Sequence, residues 1–305
     1  MLANFLNKSK PINFIGLLIF FFGAFLFNFF NDGFSIDKLL KIAILLLFFL
    51  AVFFIYNFIV SKNKLTHDNS YAYFLFTLLT VSILSNLADY RILGLTMIYL
   101  LFIRKIYSLR TANKVLEKLF DSGIWLGVFF ILEPLSILLF SLIYIASYLH
   151  NKITIHTLLT PIIGFITPLI IYFAYFFWFD KTEEFTKLFS FNFTFDVQFY
   201  SETKYLYIIS CVFFVTIFAV FLKSVRALSV NNTFRRSWIL IICNFVILIL
   251  FILFFPKKNG SELIFILFPV SIILANGVEL IQKRLLKNLV LYLFLIGSII
   301  THYFL

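Results

Sequence analysis

Apolar residues in this chain come in long runs separated by short polar breaks, not in the one-sided stripe of a soluble helix. The runs cover roughly 13–31, 39–60, 71–88, 92–103, 123–149, 157–178, 205–222, 238–255, 262–281 and 288–304. A helix crosses the hydrocarbon core of a bilayer with about 20 apolar residues, so these runs predict membrane spans. The run 92–103 is short, with Arg104, Lys105 and Tyr107 placed to snorkel to the interface. The run 123–149 is long and carries Glu133-Pro134 near its middle. Proline lacks a backbone donor and pushes the residue before it out of helical conformation. The pattern therefore predicts a turn at Glu133 that splits the run into two short spans, eleven in all. One long helix kinked at Pro134, giving ten spans, is the alternative. Either way the expected fold is an all-α polytopic transmembrane bundle, with residues 1–305 forming a single integral membrane domain.

Two polar segments interrupt this pattern. Residues 104–121 place Ile106, Leu109, Val115, Leu116, Leu119 and Phe120 near one helical face, with Arg110, Lys114 and Lys118 opposite. This predicts a basic amphipathic helix lying on the cytoplasmic leaflet, or else the solvated end of a span. Residues 179–204 form the one sizeable loop expected outside. Alternation at Phe191, Phe193, Phe195 and Val197 suggests a short hairpin or an interfacial pad within it.

Composition strengthens the membrane reading. Hydrophobic residues make up 62% of the chain and charged residues 13%, with mean hydropathy +1.04, against roughly 25% charged residues in soluble domains. Phe occurs 46 times, which fits AT-rich codon usage in a bacterial genome or, alternatively, a role for Phe in lining an apolar cavity for lipid. The first apolar run exceeds a signal-peptide core and lacks a small-x-small cleavage site, so it is expected to be retained as the first span. Cys211 and Cys243 lie inside apolar runs without redox or metal spacing.

Charge then orients the chain. The net charge of +11 points to orientation rather than to nucleic acid, because Lys and Arg concentrate in cytoplasmic segments. With eleven spans and the N-terminus inside, 17 of the 25 Lys and Arg face the cytoplasm, and ten of the 14 acids face outward. Ten spans would leave Lys223, Arg226, Arg235 and Arg236 outside. The expected placement is therefore a bacterial inner membrane, N-terminus cytoplasmic and C-terminus periplasmic.

Several outward acids sit in very short turns at span ends: Asp32 and Asp37 in NDGFSIDK, Asp89 in LADYR and Glu133 in LEP. Charges that close to hydrocarbon are costly unless paired or hydrated, so a shared polar cavity opening outward is one reading. Solvated charges at headgroup level are the other. Asp89, Arg91 and Glu133 occupy the tightest turns and are the strongest cavity candidates. The four histidines, His67, His150, His156 and His302, fall in loops or at a chain end. No metal site, cofactor or Ser/His/Asp set is expected.

The stretch 121–178, with Gly123, Gly127, Glu133-Pro134 and Lys152, resembles the central region of the membrane-embedded C-type glycosyltransferases (the GT-C superfamily). The segment 261–284, with Pro269 and Gly277, resembles a late span of the same group. The resemblance implies transfer of a sugar from a polyprenyl-phosphate carrier at the outer face. Asp32, which follows the first span, matches the carboxylate that serves the group as base or metal ligand and becomes the candidate base, with Glu133 a second candidate catalytic residue on the wall of the outward cavity. Asp89, Arg91 and Lys258 become substrate-binding residues, with Arg91 or Lys258 paired to phosphate. The whole chain, through KSKPINFIGLLIFFF, also resembles Phe-rich inner-membrane proteins of Bacteroidota. Two readings from other classes stand beside the enzyme: a non-catalytic membrane subunit of a cell-envelope assembly, and a small-solute transporter. Expected partners are membrane lipid, a polyprenyl-phosphate carrier and other membrane proteins.

Overall fold

A computed structural model describes residues 2–30, 36–190, 198–201, 203–227, 232–256 and 258–304. Those residues are all-α, without strands. The first half runs α1 (Leu2–Leu6), α2 (Pro11–Phe30), α3 (Ile36–Asn63), α4 (Tyr71–Ser82), α5 (Tyr90–Ser108), α6 (Val115–Leu132) and α7 (Phe140–Leu149). The second runs α8 (Ile155–Trp178), α9 (Thr182–Lys187), α10 (Gln198–Ser201), α11 (Thr203–Ala227), α12 (Asn232–Leu253), α13 (Leu263–Leu280) and α14 (Arg284–Phe304). Short 3-10 turns at Leu84–Asn86 and Pro134–Leu139 join α4 to α5 and α6 to α7. Among the described residues, seven helices are long and apolar enough to cross a membrane: α2, α3, α8, α11, α12, α13 and α14. Tyr71–Ser82 and Pro134–Leu149 are shorter apolar helical stretches.

Helix α6 stops where the sequence places its break. Glu133 is extended (φ −145°, ψ 96°), and Pro134 opens the 3-10 turn that leads into α7. Other helices end in a left-handed residue. Lys64, Asn151 and Asp180 have φ of 49°, 54° and 56°. Each lets the next amide reach back: Leu65 N to Val60 O, Lys152 N to Ser147 O, and Lys181 N to Phe176 O. These bonds satisfy carbonyls that the last helical turn leaves open.

Helices α4 and α13 form the centre. Every residue of α4 is buried, and α13 is the most enclosed of the seven apolar helices. Tyr56 of α3 stacks on Phe76 of α4 with centroids 3.9 Å apart, and its hydroxyl bonds Ser271 Oγ of α13 at 2.7 Å. Asn244 of α12 donates to Tyr99 OH of α5 at 2.8 Å. Buried threonines return their hydroxyls to the carbonyl four residues back, as Thr77, Thr80 and Thr96 do. That bond keeps a polar side chain satisfied in an apolar interior.

Helices α6 and α8 approach more closely than side chains would allow. A Cβ on Gly127 would lie 2.5 Å from Phe165 O and 2.5 Å from Pro168 Cγ; Gly123 faces Pro161 O, and Gly164 faces Phe120 O. Small residues permit this backbone contact, a packing mode suited to lipid. Helix α8 continues through Pro161 and Pro168. Its outer face carries exposed Ile163, Ile170, Ile171 and Trp178, and α11 and α14 likewise expose Phe214, Phe218, Leu285 and Leu293. Apolar surface this extensive is incompatible with water and is suited to lipid.

Hydrogen bonds mark the two ends of the bundle. At one, Ser70 N donates to Leu6 O, Ala3 N to Asn288 Oδ1, and Asn276 Nδ2 to Leu65 O. Arg110 binds Asn63 O, and Trp238 Nε1 binds Ser224 Oγ there. Lys and Arg are concentrated among the turns of this end, hereafter the basic end. At the opposite end Ser85 meets Asn28, Asn86 meets Tyr205, and Arg91 meets Leu132. The segment 104–121 is not one surface helix. Its start completes α5, residues 109–114 turn, and its remainder begins α6 after the left-handed Lys114. Lys118 binds Ser108 O and Thr111 O, and Lys105 pairs with Asp121, so the basic side chains close the turn on itself. The expected hairpin at 191–197 lies outside the described residues.

Candidate functional site

The structure brings three of the five expected site residues together. Asp89 caps α5, its carboxylate accepting from Arg91 N at 2.9 Å. Arg91 reaches across to the end of α6, where its Nη2 donates to Leu132 O at 2.9 Å and approaches Glu133 Oε2 at 3.4 Å. Glu133 is buried in the turn between α6 and the 3-10 segment. Burial raises its carboxyl above the ordinary range, opposed by the Arg91 guanidinium and by the Leu135 amide. The arrangement is a clamp: the cation is occupied by the acid and by the last carbonyl of a helix, whose dipole favours positive charge.

Lys258 belongs to a different cluster at the same end. Its Nζ donates to Leu253 O at 2.8 Å and lies 5.9 Å from the Tyr200 ring centroid. Beside it the buried Glu262 accepts from Tyr200 OH and, at 3.3 Å, from Asn259 N. Asp32 lies outside the described residues. Among the described residues no group of three His, Cys, Asp or Glu is arranged to hold a metal ion.

The basic end holds two features that the sequence reading did not single out. The first is a buried ion pair: Lys223 Nζ of α11 lies 3.1 Å from Glu279 Oε2 of α13. Glu279 Oε1 also accepts from Asn69 Nδ2 at 2.7 Å and from His67 N at 3.0 Å. One signal was present in the sequence, a lone acid in the last turn of an otherwise uncharged apolar helix. Its partners were not legible. The second feature is a cavity of about 570 Å³ whose rim includes Lys64, His67, Asp68 and Arg110 and whose wall includes Asn57 and Tyr73. It lies against α2, α3 and the start of α4, beside the first residues of α12.

Long apolar helices, an apolar outer surface and polar residues gathered at the two ends define an all-helical, membrane-embedded protein. The chain belongs to a family of unknown function (DUF6427), which it matches over residues 1–305. No curated protein and no solved structure matches it.

Proposed function

We propose that this protein is an eleven-span inner-membrane protein, basic end in the cytoplasm, acting as a non-catalytic subunit of a cell-envelope assembly. The observation that carries the assembly reading is the Arg91–Glu133 clamp. A general base or acid must be within reach of substrate. Glu133 is instead buried against Arg91, while Lys258 is engaged at the separate Glu262 turn. Among the described residues, Asp89, Glu133 and Glu262 close turns rather than converge on a common space. Crosslinking in intact membranes followed by purification in mild detergent should recover a membrane-protein partner in fixed proportion. A lone monomer after crosslinking would count against the assembly.

The glycosyl-transfer reading makes the opposite demand. Asp32→Asn and Glu133→Gln would then insert normally yet abolish a surface glycan built from a polyprenyl-linked sugar. That result would replace the assembly reading.

The span count rests on two supports. The chain breaks at Glu133-Pro134, and eleven crossings bring 17 of the 25 Lys and Arg to one side. With Cys211 and Cys243 replaced by Ser, Asn232→Cys should react with an impermeant thiol reagent only after the membrane is opened. Labelling in intact cells would reverse the orientation or reduce the span count.

A further inference from the structure

We propose that the cavity at the basic end is a binding site for a phosphate group, carried by an anionic lipid headgroup or free in solution. The cavity, about 570 Å³, falls within the range of small-ligand pockets, about 300–1,000 Å³. Its rim is built by local structure. Lys64 is there because it takes the left-handed position that closes α3, with Leu65 N bonded back to Val60 O. Arg110 is there because one Nη binds Asn63 O, the last residue of the same helix.

Charge on the rim is unbalanced. Neither Lys64 nor Arg110 makes an ion pair among the described residues, and the acid sharing the rim is Asp68. Glu279, behind His67, is neutralised by Lys223. The other acids of this end, Glu117 and Asp121, are paired with Lys114 and Lys105. The surplus of positive charge has a second signature. His150, buried nearby, is held well below the ordinary histidine range by burial and by Arg236, Lys152 and Arg110.

The wall supplies neutral donors. Tyr73 is 5% exposed, and its hydroxyl makes no hydrogen bond among the described residues, although the side chain lines the cavity. The hydroxyl is not among the buried side-chain atoms left without a partner, so it is open to the cavity and free to donate. Asn57 lines the same wall. Phosphate is the anion that matches this set: a guanidinium fork, an ammonium point charge and neutral donors bind its several oxygens together. Phe14 and Tyr56 also line the cavity and give it an aromatic side, which would suit the glycerol and first methylenes of a lipid.

The full-length protein in phosphatidylcholine nanodiscs would be titrated with fluorescent phosphatidic acid and, separately, with inorganic phosphate. Lys64→Asn keeps a residue that tolerates the left-handed backbone and should weaken binding about tenfold, the loss of one charge-assisted bond. Arg110→Gln should weaken it at least as much. Tyr73→Phe removes a hydroxyl that makes no hydrogen bond among the described residues, so it keeps the test readable should Arg110→Gln misfold; it too should weaken binding. Lys114→Asn, also left-handed but away from the cavity, should bind like the parent protein. Saturable phosphatidic acid binding that inorganic phosphate does not displace assigns the site to a lipid. Binding of inorganic phosphate with the same dependence on the three variants assigns it to a soluble phosphate. If neither probe binds, or if Lys114→Asn weakens binding as much as Lys64→Asn, the proposal is overturned.

Discussion

Lys223 and Glu279 meet at the basic end of the bundle 3.1 Å apart, each side chain only 7% exposed. The pair joins α11, which has a largely exposed apolar surface, to the enclosed α13. The remaining carboxylate oxygen is taken by Asn69 and the His67 amide. Removing one partner of such a pair leaves an uncompensated buried charge, at a cost of about 3–5 kcal/mol. Lys223→Met should therefore lower the thermal midpoint in detergent markedly. Lys223→Met combined with Glu279→Gln should recover much of the loss. A double variant no more stable than Lys223→Met would deny the coupling.

Helix contact by small residues makes a second prediction. Gly127→Leu forces a side chain against Phe165 O and Pro168, and overpacking of this kind costs about 1–3 kcal/mol or more. Gly16→Leu, where nothing lies within 4 Å of an added Cβ, should be tolerated. Fluorescence-detected size-exclusion profiles distinguish the two: a reduced or aggregated peak is expected for Gly127→Leu alone.

The Arg91 clamp is asymmetric. Arg91 is 56% exposed at its side chain while Glu133 is 4% exposed, so the two residues do not lose equally when the pair is broken. Arg91→Ala strands a buried carboxylate and should cost about 1–2 kcal/mol. Glu133→Gln leaves an exposed cation with its bond to Leu132 O and should cost less. Combining the two should restore most of what Arg91→Ala loses. Chemical denaturation in mixed micelles would expose the difference, and equal single-variant losses would contradict it.

His150 carries a pH signature. It lies beyond the end of α7, and burial, with Arg236, Lys152 and Arg110 around it, lowers its pKa from 6.5 to about 4. The folded protein then binds fewer protons at this site than the unfolded chain between those values. Its contribution to stability is complete above pH 6.5 and is lost as pH falls toward 4. Histidine-labelled protein should show the His150 resonance unchanged at pH 6, and His150→Gln should flatten the acid limb of a stability profile. A resonance titrating near 6.5 would contradict the assignment.

Much of the local structure was legible because it depends on neighbouring residues alone. Apolar runs became helices, and α6 ended at Leu132, two residues before Pro134. The close spacing of Asp89, Arg91 and Glu133 was also legible in part, since short turns at one end of a bundle crowd together. Their contacts were not: the sequence left open a shared polar cavity or separately solvated charges, and in the structure Arg91 pairs with Glu133 and Leu132 O. Residues 104–121 left two readings open for a related reason. Their amphipathic period is real, but the Lys118 and Lys105 contacts that break the segment into a turn become visible only in the folded chain.

The sequence by itself determined that this chain is helical, apolar on its outside and basic in particular turns. Those properties follow from hydropathy, proline geometry and the placement of Lys and Arg. Tertiary structure alone decided which faces meet. Lys223 finds Glu279, Glu279 finds the His67 amide, and Lys64 and Arg110 come to line one cavity. In helices apolar on every side, the run of residues does not fix rotation about the axis. Rotation is set by close contacts such as Gly127 against Phe165 and by a few buried polar bonds between distant segments.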